Sequence, residues 1–137
     1  MGYTRREIGK IVYDAIEAVD EIVLNGQVEL EKTSAYTLTA ADSGKILRVT
    51  GTTTITLPST VLGLSYKILN GNADGVAITI SPAAADKIVG NGFTAADDKD
   101  AINTAATAKY GDFFEIFGDG ADGWYVRAVK GTWARQA

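Results

Sequence analysis

Oxygen-bearing side chains at alternate positions can build a cation site, and this sequence places Asn70, Asn72 and Asp74 in that spacing with Gly75 behind them. The pattern matches the first half of an EF-hand loop, where such oxygens surround calcium and glycine permits the sharp turn. The match then fails. Asn stands first where Asp is the rule, Ser81 holds the twelfth position where a bidentate Glu is required, and strand-like sequence flanks the loop. The expected role of these residues is a hairpin turn, because Asn, Asp and Gly tolerate positive φ. Asp119 with Asp122, and Asp97 with Asp98 and Asp100, are spaced like paired carboxylates for acid–base or metal chemistry. Both groups lie in Gly- or Ala-rich stretches, where acids serve turns and solvation. Gly90-Asn91-Gly92 lacks the Lys and the following helix of a phosphate loop.

The missing residue types narrow the field further. The chain has no Cys and no His, so it lacks the usual zinc ligands, the Ser-His and Cys-His nucleophile pairs and the commonest neutral-pH base. The expectation is a non-enzyme with no cofactor and no structural metal. A formal net charge of -4 argues against a nucleic-acid partner, which rewards a basic face. No apolar run approaches the ~18 residues of a membrane span, and Met1 is not followed by a signal-peptide core, so a soluble product made in the cytoplasm is expected. At 137 residues the chain suits a single domain with its own core.

Those side chains need a scaffold, and residues 45–82 describe it best. Short β-branched and aromatic runs alternate there with Gly, Pro and Asn about every ten residues, the rhythm of an antiparallel β-domain. Leu47 and Val49 point one way while Ile46, Arg48 and Thr50 point the other; Ile55 and Leu57 repeat the alternation before Pro58. Tyr66 and Ile68 on one side, and Val76, Ile78 and Ile80 on the other, flank the 70–75 loop as two arms of a hairpin. Residues 27–32 read as an edge strand, 36–39 as a short strand, and 40–44 as a turn in which Asp42 bonds its own downstream backbone. Residues 86–91 and 101–104 carry weaker strand signals. Residues 113–117 and 124–129 form a closing hairpin, with Trp124, Val126 and Ala128 on one inward face.

Ahead of this module Thr4 and Glu7 form a capping box, and Ile8, Ile11, Val12, Ala15, Ile16, Val19, Ile22 and Val23 recur at helical steps up to Asn25-Gly26. The fold class is therefore mainly β: an antiparallel β-sandwich or barrel-like domain over residues 27–130, preceded by an amphipathic α-helix over residues 1–26 and followed by a tail, residues 131–137. The helix carries Arg5, Arg6 and Lys10 where its dipole prefers anions, and Glu17, Asp20 and Glu21 where it prefers cations. A partner surface would offset that cost. Arg5, Arg6, Ile8, Ile11, Val12, Ile16, Val19, Ile22 and Val23 are accordingly the candidate contact residues toward another subunit or toward the chain's own sheet. Trp133, in the tail, is a candidate anchor for either.

Residues 36–47, 54–58, 68–70, 78–80 and 122–126, as Tyr-Thr-Leu-Thr-Ala-Ala-Asp-Ser-Gly-Lys-Ile-Leu, Thr-Ile-Thr-Leu-Pro, Ile-Leu-Asn, Ile-Thr-Ile and Asp-Gly-Trp-Tyr-Val, resemble a small β-module of tailed-bacteriophage virion proteins. The resemblance spans roughly residues 33–130. Such modules occur in head decoration (cement) proteins and in tail-fibre or tail-spike proteins, generally as trimers and without catalytic residues. What it implies is a trimeric virion structural protein, without fixing its place in the virion; a compact acidic β-domain with a helix and a tail for attachment fits a decoration protein on the outer surface of the capsid, bound across the major capsid protein lattice. The alternative is a binding module of a tail fibre or host-adhesion device. The sequence offers no repeat array or long shaft with which a fibre gains reach, which favours the first.

Overall fold

The computed structural model describes residues 29–72 and 74–137. The expected N-terminal helix, with its contact candidates Arg5, Arg6, Ile8, Ile11, Val12, Ile16, Val19, Ile22 and Val23, lies outside the described residues.

The regular structure of the described chain is almost entirely β. Its strands are β1 (Glu29–Lys32), β2 (Tyr36–Thr37), β3 (Ile46–Val49), β4 (Thr53–Thr56), β5 (Ser65–Asn70), β6 (Ile78–Ser81), β7 (Lys87–Val89), β8 (Ala101–Asn103), β9 (Phe113–Gly118), β10 (Gly123–Lys130) and β11 (Ala134–Arg135), with one 3-10 turn at Ala40–Asp42. They form a six-stranded sheet in the order β1-β3-β5-β9-β10-β7 and a five-stranded sheet in the order β11-β8-β6-β4-β2.

Period-two alternation supplies the core. Leu47 and Val49, Tyr66 and Ile68, Phe114 and Ile116, with Trp124 and Ile88, point inward from the larger sheet. Ile55, Ile78, Ile80 and Ala101 come from the smaller one, and all join in a single cluster. Burying each large side chain contributes about 1.5–3 kcal/mol relative to exposure. Tyr66 and Trp124 stack tilted at 5.4 Å, and Phe93 meets Phe114 edge-on at 5.2 Å.

The antiparallel expectation needs correction, because both sheets are mixed. β1, β3 and β5 run parallel in one sheet and β2, β4 and β6 run parallel in the other. From β1 to β6 the chain passes from one sheet to the other at each step, so each of these strands from β3 on lies beside the strand two before it. Parallel neighbours need a long crossover, and here the strand in the opposite sheet provides it. The coils differ in length: paired residues lie 17 and 21 positions apart in one sheet (Glu29, Ile46, Lys67) and 19 and 25 in the other (Tyr36, Ile55, Ile80). No strict sequence period results. The 70–75 loop is consequently not a hairpin, since it carries the chain from β5 in one sheet to β6 in the other. Antiparallel pairing joins β5 to β9, β9 to β10, β6 to β8 and β8 to β11.

The closing hairpin forms as expected, with one difference in parity. The register shifts between Val126 and Ala128, which makes Arg127 an extra residue, and beyond it Val129 packs against the core where Ala128 was expected. The tail also joins the fold. Ala134 and Arg135 pair with Ile102 and Ala101 of β8, and Trp133 stacks on Phe114 at 5.0 Å while its indole N–H donates to Lys130 O at 3.1 Å. β1 is an edge strand, as its charged residues suggested, and Arg48 of β3 pairs with both Glu29 and Glu31.

Candidate functional site

The residues singled out for chemistry sit in loops and at strand ends, and most of their side chains are already engaged. Asn70, the last residue of β5, is fully buried, whereas Asn72 lies beyond the strand end and is exposed, so the two side chains do not share a face. Asn70 Oδ1 accepts the Asn72 N–H at 3.2 Å, and its amide reaches Asn103 Oδ1 at 3.5 Å. The Asn72 amide donates to Thr50 O. Asp74 instead bonds Lys109 Nζ at 3.0 Å and the Tyr110 N–H at 3.1 Å; these two donors hold its carboxyl below the usual carboxylate range. The three oxygen-bearing side chains do not converge, and calcium would find no cage there.

Asp119 organises the β9–β10 turn. Its Oδ1 accepts the N–H groups of Ala121, Asp122 and Gly123 at 2.8, 2.9 and 2.9 Å, which lowers its pKa. Thr60 fastens the neighbouring 57–64 loop to the same turn by donating its hydroxyl to Gly123 O at 2.6 Å. Asp122 faces away, toward Lys87 Nζ at 2.7 Å; that bond, with the charge of Asp97 at 3.5 Å, raises the lysine pKa. Asp119 and Asp122 thus do separate jobs. Asp98 takes positive φ and gives its N–H to Asp86 O, whereas Asp100 accepts the Gln136 N–H through its backbone. The three acids of 97–100 do not meet. Gly90, Asn91 and Gly92 all have positive φ and make a tight turn closed by the Gly90–Phe93 bridge.

Among the described residues no group of three or more His, Cys, Asp or Glu is placed to hold a metal. No described helix is long and apolar enough to cross a membrane. A shallow cleft of about 190 Å³ lies beside the β9–β10 turn, lined by Val89, Ala95, Asp119, Asp122, Gly123, Trp124 and Tyr125.

Two further polar centres stand out, of which the sequence marked only Asp42, as a turn residue. In the first, the buried Asp42 carboxylate accepts the Thr39 N–H at 2.9 Å, the Thr39 hydroxyl at 3.0 Å and the Tyr36 hydroxyl at 3.0 Å. Its partners lie upstream, opposite to the expected downstream turn, because the 3-10 turn at Ala40–Asp42 folds the side chain back over its own entry. Burial pushes this carboxyl up, but the three donors and the nearby Lys45 outweigh it and leave the pKa lowered. In the second centre, Asn103 donates to Asp112 Oδ2 and to Thr132 O, both at 3.0 Å, and Asp112 also takes the Lys109 N–H at 2.9 Å. This knot of Asn70, Asn103 and Asp112 is buried between the sheets and ties β5, β8 and the tail together. Its groups are satisfied, which marks a structural role. A polar residue inside an apolar alternation was the available signal.

No protein-family model and no curated protein matches this sequence.

Proposed function

We propose that this chain is a structural protein of a bacteriophage virion, a capsid decoration protein that binds across neighbouring major capsid subunits as a homotrimer and strengthens the head. The observation that carries the reading is the engagement of polar loop groups with one another and with the backbone. Asp42, Asp74, Asp112 and Asp119 each brace a turn, as a rigid clip requires, and none meets a second free carboxylate or base as acid–base chemistry requires. The residues that carry the phage-module resemblance supply strands to both sheets of this scaffold, among them β3, β4, β5, β6 and β10.

The mechanism is mass action. A protein that binds only the assembled lattice stabilises it by RT ln(1 + [L]/Kd), about 2.7 kcal/mol per site at a hundredfold excess over Kd. The protein acts without cofactor, nucleic acid or membrane, on the outer surface of the capsid, after synthesis in the host cytoplasm.

A second reading, a host-adhesion module of a tail fibre, draws on the exposed rings of Tyr110 (66 %) and Tyr125 (45 %), which could stack on a surface ligand. Electron microscopy of labelled protein added to undecorated heads and to host cells separates the two. Labelling of heads supports decoration; labelling of cells alone supports adhesion and removes the first reading.

A further inference from the structure

We propose that the outer face of the five-stranded sheet is the surface through which copies of this chain pack on one another around the threefold axis of the trimer, an inference that rests on the homotrimer reading above. The register carries the argument. Thr37 of β2, Thr56 of β4 and Ser81 of β6 lie in one row across the sheet, and in the next row Thr54 lies opposite Thr79, Thr79 opposite Ile102 of β8, and Ile102 opposite Ala134 of β11. Their chain neighbours Ile55, Ile80 and Ala101 are buried in the core, so alternation turns both rows outward. None of these outward positions is ionisable. Arg135, the one charged residue in the five strands, pairs with Ala101 and takes the other parity.

The outer face of the six-stranded sheet differs. Arg48, Lys67, Glu115 and Arg127 lie on it, with Arg48 paired to Glu29 and Glu31 and Arg127 paired to Glu115. Packing copies through that face would take these ions out of water, a cost that the threonine face does not carry.

Symmetry makes the absence of charge decisive. Close to a threefold axis every side chain meets two copies of itself, so an ionised group there faces its own sign. Three chains of formal net charge -4 repel one another, and the contact between them is best placed where neither sign is present.

Hydroxyl chemistry points to a second copy as the occupant. Each hydroxyl both donates and accepts, so one threonine matches another without needing a complementary group. Among the described residues none bonds the Thr37, Thr54, Thr56, Thr79 or Ser81 hydroxyl, and Thr37 and Thr54 are exposed. The threonine methyls, with Ile102 and Ala134, add apolar area on strands about 4.8 Å apart. A partner of different sequence is ordinarily selected by complementary charge, and this face offers none.

The test uses the full chain, with mass read by light scattering after gel filtration. Thr79→Lys, in the middle of the face, should raise the concentration at half-assembly by about 100-fold or more and give a monomer with the circular dichroism of the wild type. Ser65→Lys, on the outer face of the other sheet, should leave the trimer intact. A Thr79→Lys protein that stays trimeric overturns the proposal and leaves the trimer standing, whereas a monomeric wild type removes the trimer and the proposal with it. Because the chain has no native Cys, Thr79→Cys decides the matter if the lysine variant fails to fold. A short bismaleimide should link two copies of Thr79→Cys, seen at twice the chain mass on a denaturing gel, and should not link Ser65→Cys. Linking of Ser65→Cys to the same extent, or no linking of Thr79→Cys, overturns the proposal.

Discussion

The Tyr66 hydroxyl donates to Thr39 O at 2.8 Å, joining the middle of the six-stranded sheet to the backbone that feeds the Asp42 turn. Tyr66 is 2 % exposed, and burial first, then the Asp42 charge, push its phenol up to about 12. In the unfolded chain the phenol titrates near its ordinary value of 10.0. Its contribution is therefore complete below pH 10 and is lost as pH rises toward 12, a fall of roughly 2–3 kcal/mol for a shift of this size. Denaturant melts at pH 9 and pH 11.5 should show that fall in the wild type. Tyr66→Phe should begin about 1 kcal/mol less stable at pH 9 and lose this part of the alkaline decline.

Asp42 acts at the other end of the pH scale. Its folded pKa is lowered, so its contribution is present above the ordinary carboxylate pKa and is lost as pH falls through the lowered folded value. Asp42→Ala should destabilise the protein by about 1–3 kcal/mol at pH 7, because the Tyr36 and Thr39 donors lose their acceptor. The difference between the two proteins should shrink on acidification below about pH 4. A constant difference down to pH 2 would mean that packing, not charge, sets the effect.

The buried knot predicts a sharp local sensitivity. Gly131 has φ +91, and a Cβ there would fall 2.1–2.4 Å from the Asp112 carboxyl, which Asn103 and the Lys109 N–H hold in place. Gly131→Ala should cost at least about 1–2 kcal/mol for the backbone alone. Asn103→Leu should cost about 1–3 kcal/mol by stripping Asp112 and Thr132 O of a donor. Thermal melting of both variants checks this, and an unchanged midpoint would remove the knot from the account.

Metal removal should change nothing. Asn70, Asn72 and Asp74 turn to separate partners, so melting midpoints with a strong chelator and with added calcium should coincide. A drop of ten degrees or more on chelation, roughly 2 kcal/mol or more for a chain of this size, restored by calcium, would contradict the geometry.

Much of the scaffold was legible because alternation is local. Leu47 and Val49 against Ile46 and Arg48, or Ile55 between an exposed Thr54 and a half-buried Thr56, state which face is inward whatever strand lies alongside. Partner choice is not local. Tyr66 and Ile68 bury equally well beside β3, beside β9 or in a hairpin with β6, so the parallel coils were hidden and a hairpin was expected at 70–75. The parity after Arg127 was hidden for a related reason, since a single extra residue leaves no mark in a run such as Trp124 to Val129. At the loops the reading went further. Asp119 was expected to serve a turn, and it does; Gly90-Asn91-Gly92, set aside as a phosphate loop, makes a tight turn as well. Asp42, Asn103 and Asp112 were harder to see, because their value lies in donors brought together by the fold.

The proposed trimer should be the species in solution. Light scattering coupled to gel filtration should give three times the 14.4 kDa chain mass at about tens of micromolar protein, the range where weak assemblies separate from stable ones. A monomer persisting at that concentration would remove the trimer.

The most direct test of the decoration claim is the temperature at which DNA escapes from undecorated phage heads, followed by dye fluorescence with and without saturating protein. The account predicts a rise that saturates with added protein, in step with its binding to the heads. Heads that bind the protein yet release DNA at an unchanged temperature, or that do not bind it, would contradict the account.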